Sequence, residues 1–365
     1  MIPNHTKLMI PGPVEVAPEV LAAMSDPVEP HYGPDWVKKY ERVNDLLKQV
    51  YQTNNDVFLM AGSGSCAIDA SIGSSLQTGE KIIIGNNGFF GDRLVEIARY
   101  YGLEVIEVRQ KWGKRLDTQD ILDMLSKHSD AKAVAVVHGE TSTSVINPIE
   151  EIGLQLKERD VLYIVDAVST LGGVPIDVDS WGIDLCPSAS QKCLGGIPGL
   201  APVSVSAKGW QFINRAKERN HGWFTDLRIW YKYSQEWGQW HPTPVTISSN
   251  LVNGLWIALE QLVDEGIEKR MNQFRELALL LRKGLWDLEM DPITPDEELN
   301  PVLTAASTPA GVDSGEIVTF LKDKHHIQIS PGLGVLKPTV FRVGHMSPVM
   351  EKKDINNVLN ALNDF

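Results

Sequence analysis

One lysine stands out by its neighbours. In SASQKCLGGIPG, Ser188 to Gly199, Lys192 is set among small residues just after the apolar run IDLCPS, and Gly195, Gly196, Pro198 and Gly199 make a turn behind it. A lysine amine becomes a useful nucleophile when its surroundings lower its pKa or when an aldehyde holds it, and small neighbours leave room for such a partner. Upstream, the run VLYIVD ends in Asp166. A carboxylate at the end of a buried strand is costly unless it is paired, so a cationic partner is expected there, and a protonated pyridine nitrogen would serve. The plainer alternative is an aspartate that caps the following turn.

Three further stretches offer complementary groups. AGSGSCAIDA, Ala61 to Ala70, follows the apolar run DVFLM and opens a helix; Gly62 and Gly64 let backbone N–H groups approach an anion, and Ser63 and Ser65 add hydroxyls at the positive end of the helix dipole. It is neither GxGxxG nor GxxxxGK, which disfavours a dinucleotide or P-loop reading. IIIGNNGFFGDR places Phe89 and Phe90 after a second run, and VVHGETSTS places His138, Glu140, Thr141 and Ser142 after a third. An aromatic could stack on a ring and a hydroxyl could bond a phenolic oxygen. Taken singly, a phenylalanine is also core and TST also a turn.

These residues need strands to carry them. The runs DVFLM, KIIIG, LEVIEV, KAVAVVH, VLYIVDA and IDLCPS alternate with helical patterns such as GDRLVEIARYY and TQDILDMLSKH, which predicts βαβ units and a mostly parallel sheet in an α/β fold. Such sheets place ligands at the carboxyl ends of their strands. Before them, Pro11, Gly12 and Pro13 enforce an extended segment, a short helix starts at Pro18, and a longer helix runs from about Asp35 to Gln52. After Lys192, APVSVSAKGW reads as one more strand. Residues 210 to 240, with Trp210, Trp223, Trp230, Trp237 and Trp240, read as an aromatic loop, packed on itself or lining a site or subunit interface. Ile247–Glu265 and Ile267–Leu288 read as helices, and the remainder as a β-α-β-β-α pattern. We divide the chain into an N-terminal extended segment, 1–20, a large unit, 21–262, and a small C-terminal unit, 263–365.

Composition bounds the function class. The 365 residues exceed what a single core usually fills, and a net charge of −13 disfavours nucleic acid or anionic membrane as partner, leaving small molecules. Cys66, Cys186 and Cys193 are too few for a disulfide framework and lack zinc spacing, which fits a reducing cytoplasm and no metal. No stretch approaches the length of a membrane span or a secretory signal.

In chain order, an anion cradle, an aromatic, a hydroxyl, a strand-end aspartate and a lysine describe a site for pyridoxal 5'-phosphate. The sequence resembles the class V aminotransferases of fold type I, most closely the serine–pyruvate or alanine–glyoxylate group. The motifs that carry the likeness are PGP near the N-terminus, GSGSCA, NGFFG, HGETST followed by NP, VDAVSTLGG, SQKCLGGIPGLA, WHPTPV and FRVGHM. The resemblance implies that Lys192 forms the Schiff base with the cofactor and Asp166 pairs with the pyridine nitrogen. It implies that Ser63, Gly64, Ser65 and Gln191 surround the phosphate, that Phe90 stacks and Thr141 contacts the ring hydroxyl, and that Thr243 reaches the phosphate of the neighbouring subunit in a homodimer. Arg342 would bind the substrate carboxylate, with Gly12 and His31 also at the substrate. Phe90 replaces a frequent tryptophan, Ser65 a frequent histidine, and Trp240 a usual tyrosine.

By the same resemblance the expected activity is transfer of an amino group from a small amino acid to glyoxylate or pyruvate. The alternatives are another reaction on the same cofactor, such as a lyase, or a non-catalytic subunit that keeps the fold. Cysteine desulfurases share this fold but need a cysteine well after the lysine, and none follows Cys193.

Overall fold

The computed structural model describes residues 6–215 and 221–365. Its centre is a seven-stranded sheet in the order Asp56–Gly62, Gly199–Val205, Leu185–Pro187, Leu162–Asp166, Ala133–Val137, Lys81–Asn86 and Glu104–Arg109. Only Gly199–Val205 runs against the rest. The strands Ala133–Val137 and Leu162–Asp166 are buried at every position, as expected where helices cover both faces of a parallel sheet.

Because six strands share a direction, their carboxyl ends share an edge. The segments starting at Ser63, Asn87, His138, Ala167 and Ser188 therefore emerge side by side, although they are far apart in sequence. This edge is where open parallel sheets bind ligands.

A second sheet, in the order Leu303–Ser307, Val340–Gly344, Ser330–Pro331, pairs Arg342 with Ala305 on one side and Ser330 on the other. Its core, with Leu281, Phe341, Ile355 and Val358, is separate from the larger core built on the central sheet. The N-terminal segment joins the two. Lys7–Leu8 pairs in parallel with Ile327–Gln328, Gly344 donates its N–H to Met9 at 2.8 Å, and five residues later Val14 donates to Gln191 at 3.1 Å.

Two sequence expectations are corrected. APVSVSAKGW is not one strand: the strand ends at Val205, Ser206 accepts from the Gly209 N–H at 2.9 Å as a cap, and Ala207–Arg215 is helical. The stretch from 210 to 240 is mostly helix rather than loop. Asp226 caps a helix Leu227–Glu236 by accepting from Arg228 N at 3.0 Å, while residues 216–220 lie outside the described residues. Within it Trp230 is buried and donates to the Phe224 carbonyl at 2.8 Å, whereas Trp223, Trp237 and Trp240 are about half exposed. Among the described residues no helix is long and apolar enough to cross a membrane, and no group of three or more His, Cys, Asp or Glu side chains could hold a metal.

The junction of the N-terminal segment with the smaller sheet leaves no space at Gly344, where a Cβ would lie 2.0 Å from the Ile10 carbonyl oxygen. Gly344→Ala should therefore cost about 1–3 kcal/mol of stability by overpacking. Denaturant midpoints check this, with Gly222→Ala as the control that meets nothing.

Candidate active site

The shared strand edge encloses a cavity of about 270 Å³. Ser63, Gly64, Ser65, Phe90, Thr141, Asp166, Gln191 and Lys192, all anticipated from sequence, line it together with Arg93, Val168 and Ser169, which were not.

At one end stands the helix Gly64–Ser75. Ser63 is its N-cap in extended conformation and makes no side-chain cap bond, so the first helical amides and the serine hydroxyls are left for an anion. Gly64 is needed for space: a Cβ there would come within 2.6 Å of Val168 Cγ2. Phe90, near the start of the helix Phe89–Tyr100, forms an aromatic wall, and the Arg93 guanidinium lies over its ring at 4.9 Å. Arg93 was legible in principle, since a residue three positions after Phe90 on a helix shares its face.

Asp166 ends its strand in the cavity floor. Its Oδ1 accepts from Val168 N at 2.9 Å, so the turn-capping reading is met, but among the described residues it forms no ion pair. Burial, and next to it the neighbouring Glu140, push its carboxyl up to about 6 against the bond from Val168 and the charges of Arg93 and Lys192. Gln191 Oε1 is buried without a partner among the described residues.

Lys192 Nζ donates to the Pro11 carbonyl. Gly12 lies directly over this side chain. A Cβ on it would sit 2.5 Å from Lys192 Cδ and 2.7 Å from Nζ, and its φ of +89° independently favours glycine. Burial draws the lysine amine down to about 8, with Arg342 and Arg93 acting in the same direction.

Besides Gly12, three expected site residues lie outside the cavity wall. Arg342 is buried one step behind it: Nε donates to the Pro331 carbonyl at 2.9 Å and Nη1 to the carbonyl of Thr141 at 3.1 Å, while Nη2 has no partner among the described residues. Thr243 is buried within its own chain and donates its hydroxyl to the Val245 carbonyl at 2.9 Å. His31 stands in a cluster with Tyr32, His241 and Thr246, outside the cavity wall.

The arrangement fits one kind of group: an anion held at a helix N-terminus, a flat ring beside Phe90, a basic ring nitrogen at Asp166 and an aldehyde within reach of Lys192. The model of the family described as aminotransferase class-V matches residues 28–355. The chain is a class V aminotransferase. This class V aminotransferase is 39% identical over 95% of its length to an uncharacterized aminotransferase of Methanocaldococcus jannaschii, of which 89% is covered. It superimposes with a TM-score of 0.94 on the crystal structure of an alanine–glyoxylate aminotransferase from Nostoc sp., at 32% identity over 100% of this chain and 96% of that one. The ureidoglycine–glyoxylate aminotransferase of Bacillus subtilis gives 0.94 at 30% identity, over 100% and 93%. The class V aminotransferase fold is that of fold type I, its cofactor is pyridoxal phosphate, and its reaction is transamination.

The lowered lysine has a pH signature. Between about 8 and its ordinary value of 10.5, the folded chain holds fewer protons at Lys192 than the unfolded chain, so this group makes folding stability rise with pH across that window. Labelling of Lys192 by an amine reagent in cofactor-free protein should have its midpoint near 8; a midpoint at 10.5 would show an ordinary surface amine.

Proposed function

We propose that this transaminase moves the amino group of a small amino acid such as alanine or serine to glyoxylate or pyruvate. Support for the substrates comes from the alanine–glyoxylate and ureidoglycine–glyoxylate enzymes it resembles. The observation that carries the reading is the enclosure of Lys192, Asp166 and the open N-terminus of Gly64–Ser75 in one cavity.

Pyridoxal phosphate, when bound, supplies the electron sink that lets an amino acid lose its Cα proton. The residues of the chain do the rest. Ser63, Ser65, the amide of Gly64 and Gln191 would hold the phosphate, Phe90 would supply the aromatic wall, and Thr141 would meet the ring hydroxyl. Asp166 would hold positive charge at the ring nitrogen, which would also offset the cost of its own burial. Lys192 would hold the cofactor by its aldehyde and, with its amine free, would take the proton from the donor Cα; neutral above about pH 8, that amine is suited to the task. In the second half-reaction it returns a proton to the Cα derived from the oxo acid. Arg342, with Nη2 unclaimed, pairs with the carboxylate of either substrate.

We assign Gly12 to keeping the space over Lys192 clear for substrate. Separate cores on the central and the smaller sheet support the division of the chain into a large and a small unit. Half-exposed Tyr32, Trp223, Trp237 and Trp240 support a subunit contact on that face of a homodimer, and three unbridged cysteines support a cytoplasmic setting.

Lys192→Ala should abolish turnover while the cofactor is still retained through its phosphate. Asp166→Asn should lower kcat by orders of magnitude, and a change below about threefold would leave it only its turn. Arg342→Lys should weaken kcat/KM for donor and acceptor alike, by about 2–4 kcal/mol, with an unaltered visible spectrum in the absence of substrate. Conversion of bound cofactor to pyridoxamine phosphate by one equivalent of each amino acid in a panel identifies the donor; release of products without that conversion would mean a lyase.

A further inference from the structure

We infer that Glu140 is a positioning residue for the cofactor: an ionised, fully buried cap that sets the Phe90 helix against the Thr141 turn. The inference rests on the reading of Phe90 as a wall of the cofactor site. Glu140 has no exposed surface and does not line the cavity. Its Oε2 accepts from the backbone N–H groups of Phe90 and Gly91, both at 3.0 Å, and its Oε1 from Ser142 N at 3.0 Å and Ser142 Oγ at 2.6 Å.

The direction of each bond fixes the charge. Ser142 Oγ itself accepts from Phe89 N at 3.0 Å, so its single proton goes to Glu140. All four neighbours of the carboxyl are then donors, and a protonated carboxyl would have to aim its hydrogen at one of them. Burial pushes this group up, but the four donated bonds oppose it and hold the anion.

The amides of Phe89, Phe90 and Gly91 are the first of the helix Phe89–Tyr100 and have no carbonyl within it to bond. The N-cap, Gly88, has no side chain to serve them, and a Cβ there would fall 2.4 Å from Glu140 Cδ and 2.5 Å from Ser142 Oγ. Its φ of 177° is open to any residue, so glycine is required at 88 for space alone, to admit a cap from a segment some fifty residues later. What this cap holds in place is functional on both sides. The helix carries Phe90 and Arg93 into the cavity, while Thr141, next to Glu140, lines the cavity and gives its carbonyl to Arg342.

A double-mutant cycle on the reconstituted holoenzyme tests this. Glu140→Gln replaces two acceptor sites by an N–H₂ that faces donors. It should raise the dissociation constant for pyridoxal phosphate about tenfold or more, followed by tryptophan fluorescence, and weaken the visible circular dichroism per bound cofactor. Ser142→Ala, which removes one of the four donors and leaves the fold a milder task, should raise it less. In a Phe90→Leu background both increments should shrink, because the ring they position is gone. Full-size increments in that background, or a lower melting temperature with unchanged affinity and circular dichroism, would reduce Glu140 to a stabilising residue. Phe90→Leu alone leaving affinity unaltered would instead overturn the reading of Phe90, whatever the Glu140 variants do.

Discussion

Asp166 is a charge that the chain buries and does not itself neutralise. Its carboxylate has one backbone bond and no ion pair among the described residues, and burial pushes it up to about 6. The rest of the site is arranged round that unmet demand. Lys192 and Arg342 are both drawn down by burial, to about 8 and about 10, so each gains from an anion as Asp166 gains from a cation. A ligand carrying a basic ring nitrogen, and substrates carrying carboxylates, would relieve these costs together, and binding would draw on desolvation that folding has already imposed.

The sheet makes this arrangement affordable in sequence terms. A parallel sheet turns the ends of distant strands into neighbours, so each contributing segment needs only a few special residues after an apolar run. That is why Ser63, Phe90, Thr141, Asp166 and Lys192 could be read in order from the chain, and why their enclosure in one cavity follows from strand direction. The same regularity made the βαβ alternation legible.

What was not legible depends on partners remote in sequence or on local caps. The donation from Lys192 to Pro11 joins residues 181 apart, and no periodicity near either one announces it. Ser206 and Asp226, single capping side chains, turn an expected strand end and an aromatic loop into helices. The bond from Thr243 to the Val245 carbonyl two residues on is another local contact that the motif WHPTPV does not announce. Glu140 was visible only as one of several polar residues after a strand; its meaning lies in donors supplied by another helix.

The N-terminal segment has a bearing on how the protein is made. Residues 7–9 pair with strands formed by residues 327–344, and from there the segment runs to Pro11 and Gly12 over Lys192. The ribosome makes the two partners more than three hundred residues apart, so the strand pairing that anchors this cover cannot form until nearly the whole chain has emerged, although the strands of the central sheet and Lys192 are synthesised long before. Docking of the N-terminal segment is a late step that waits on the C-terminal strands.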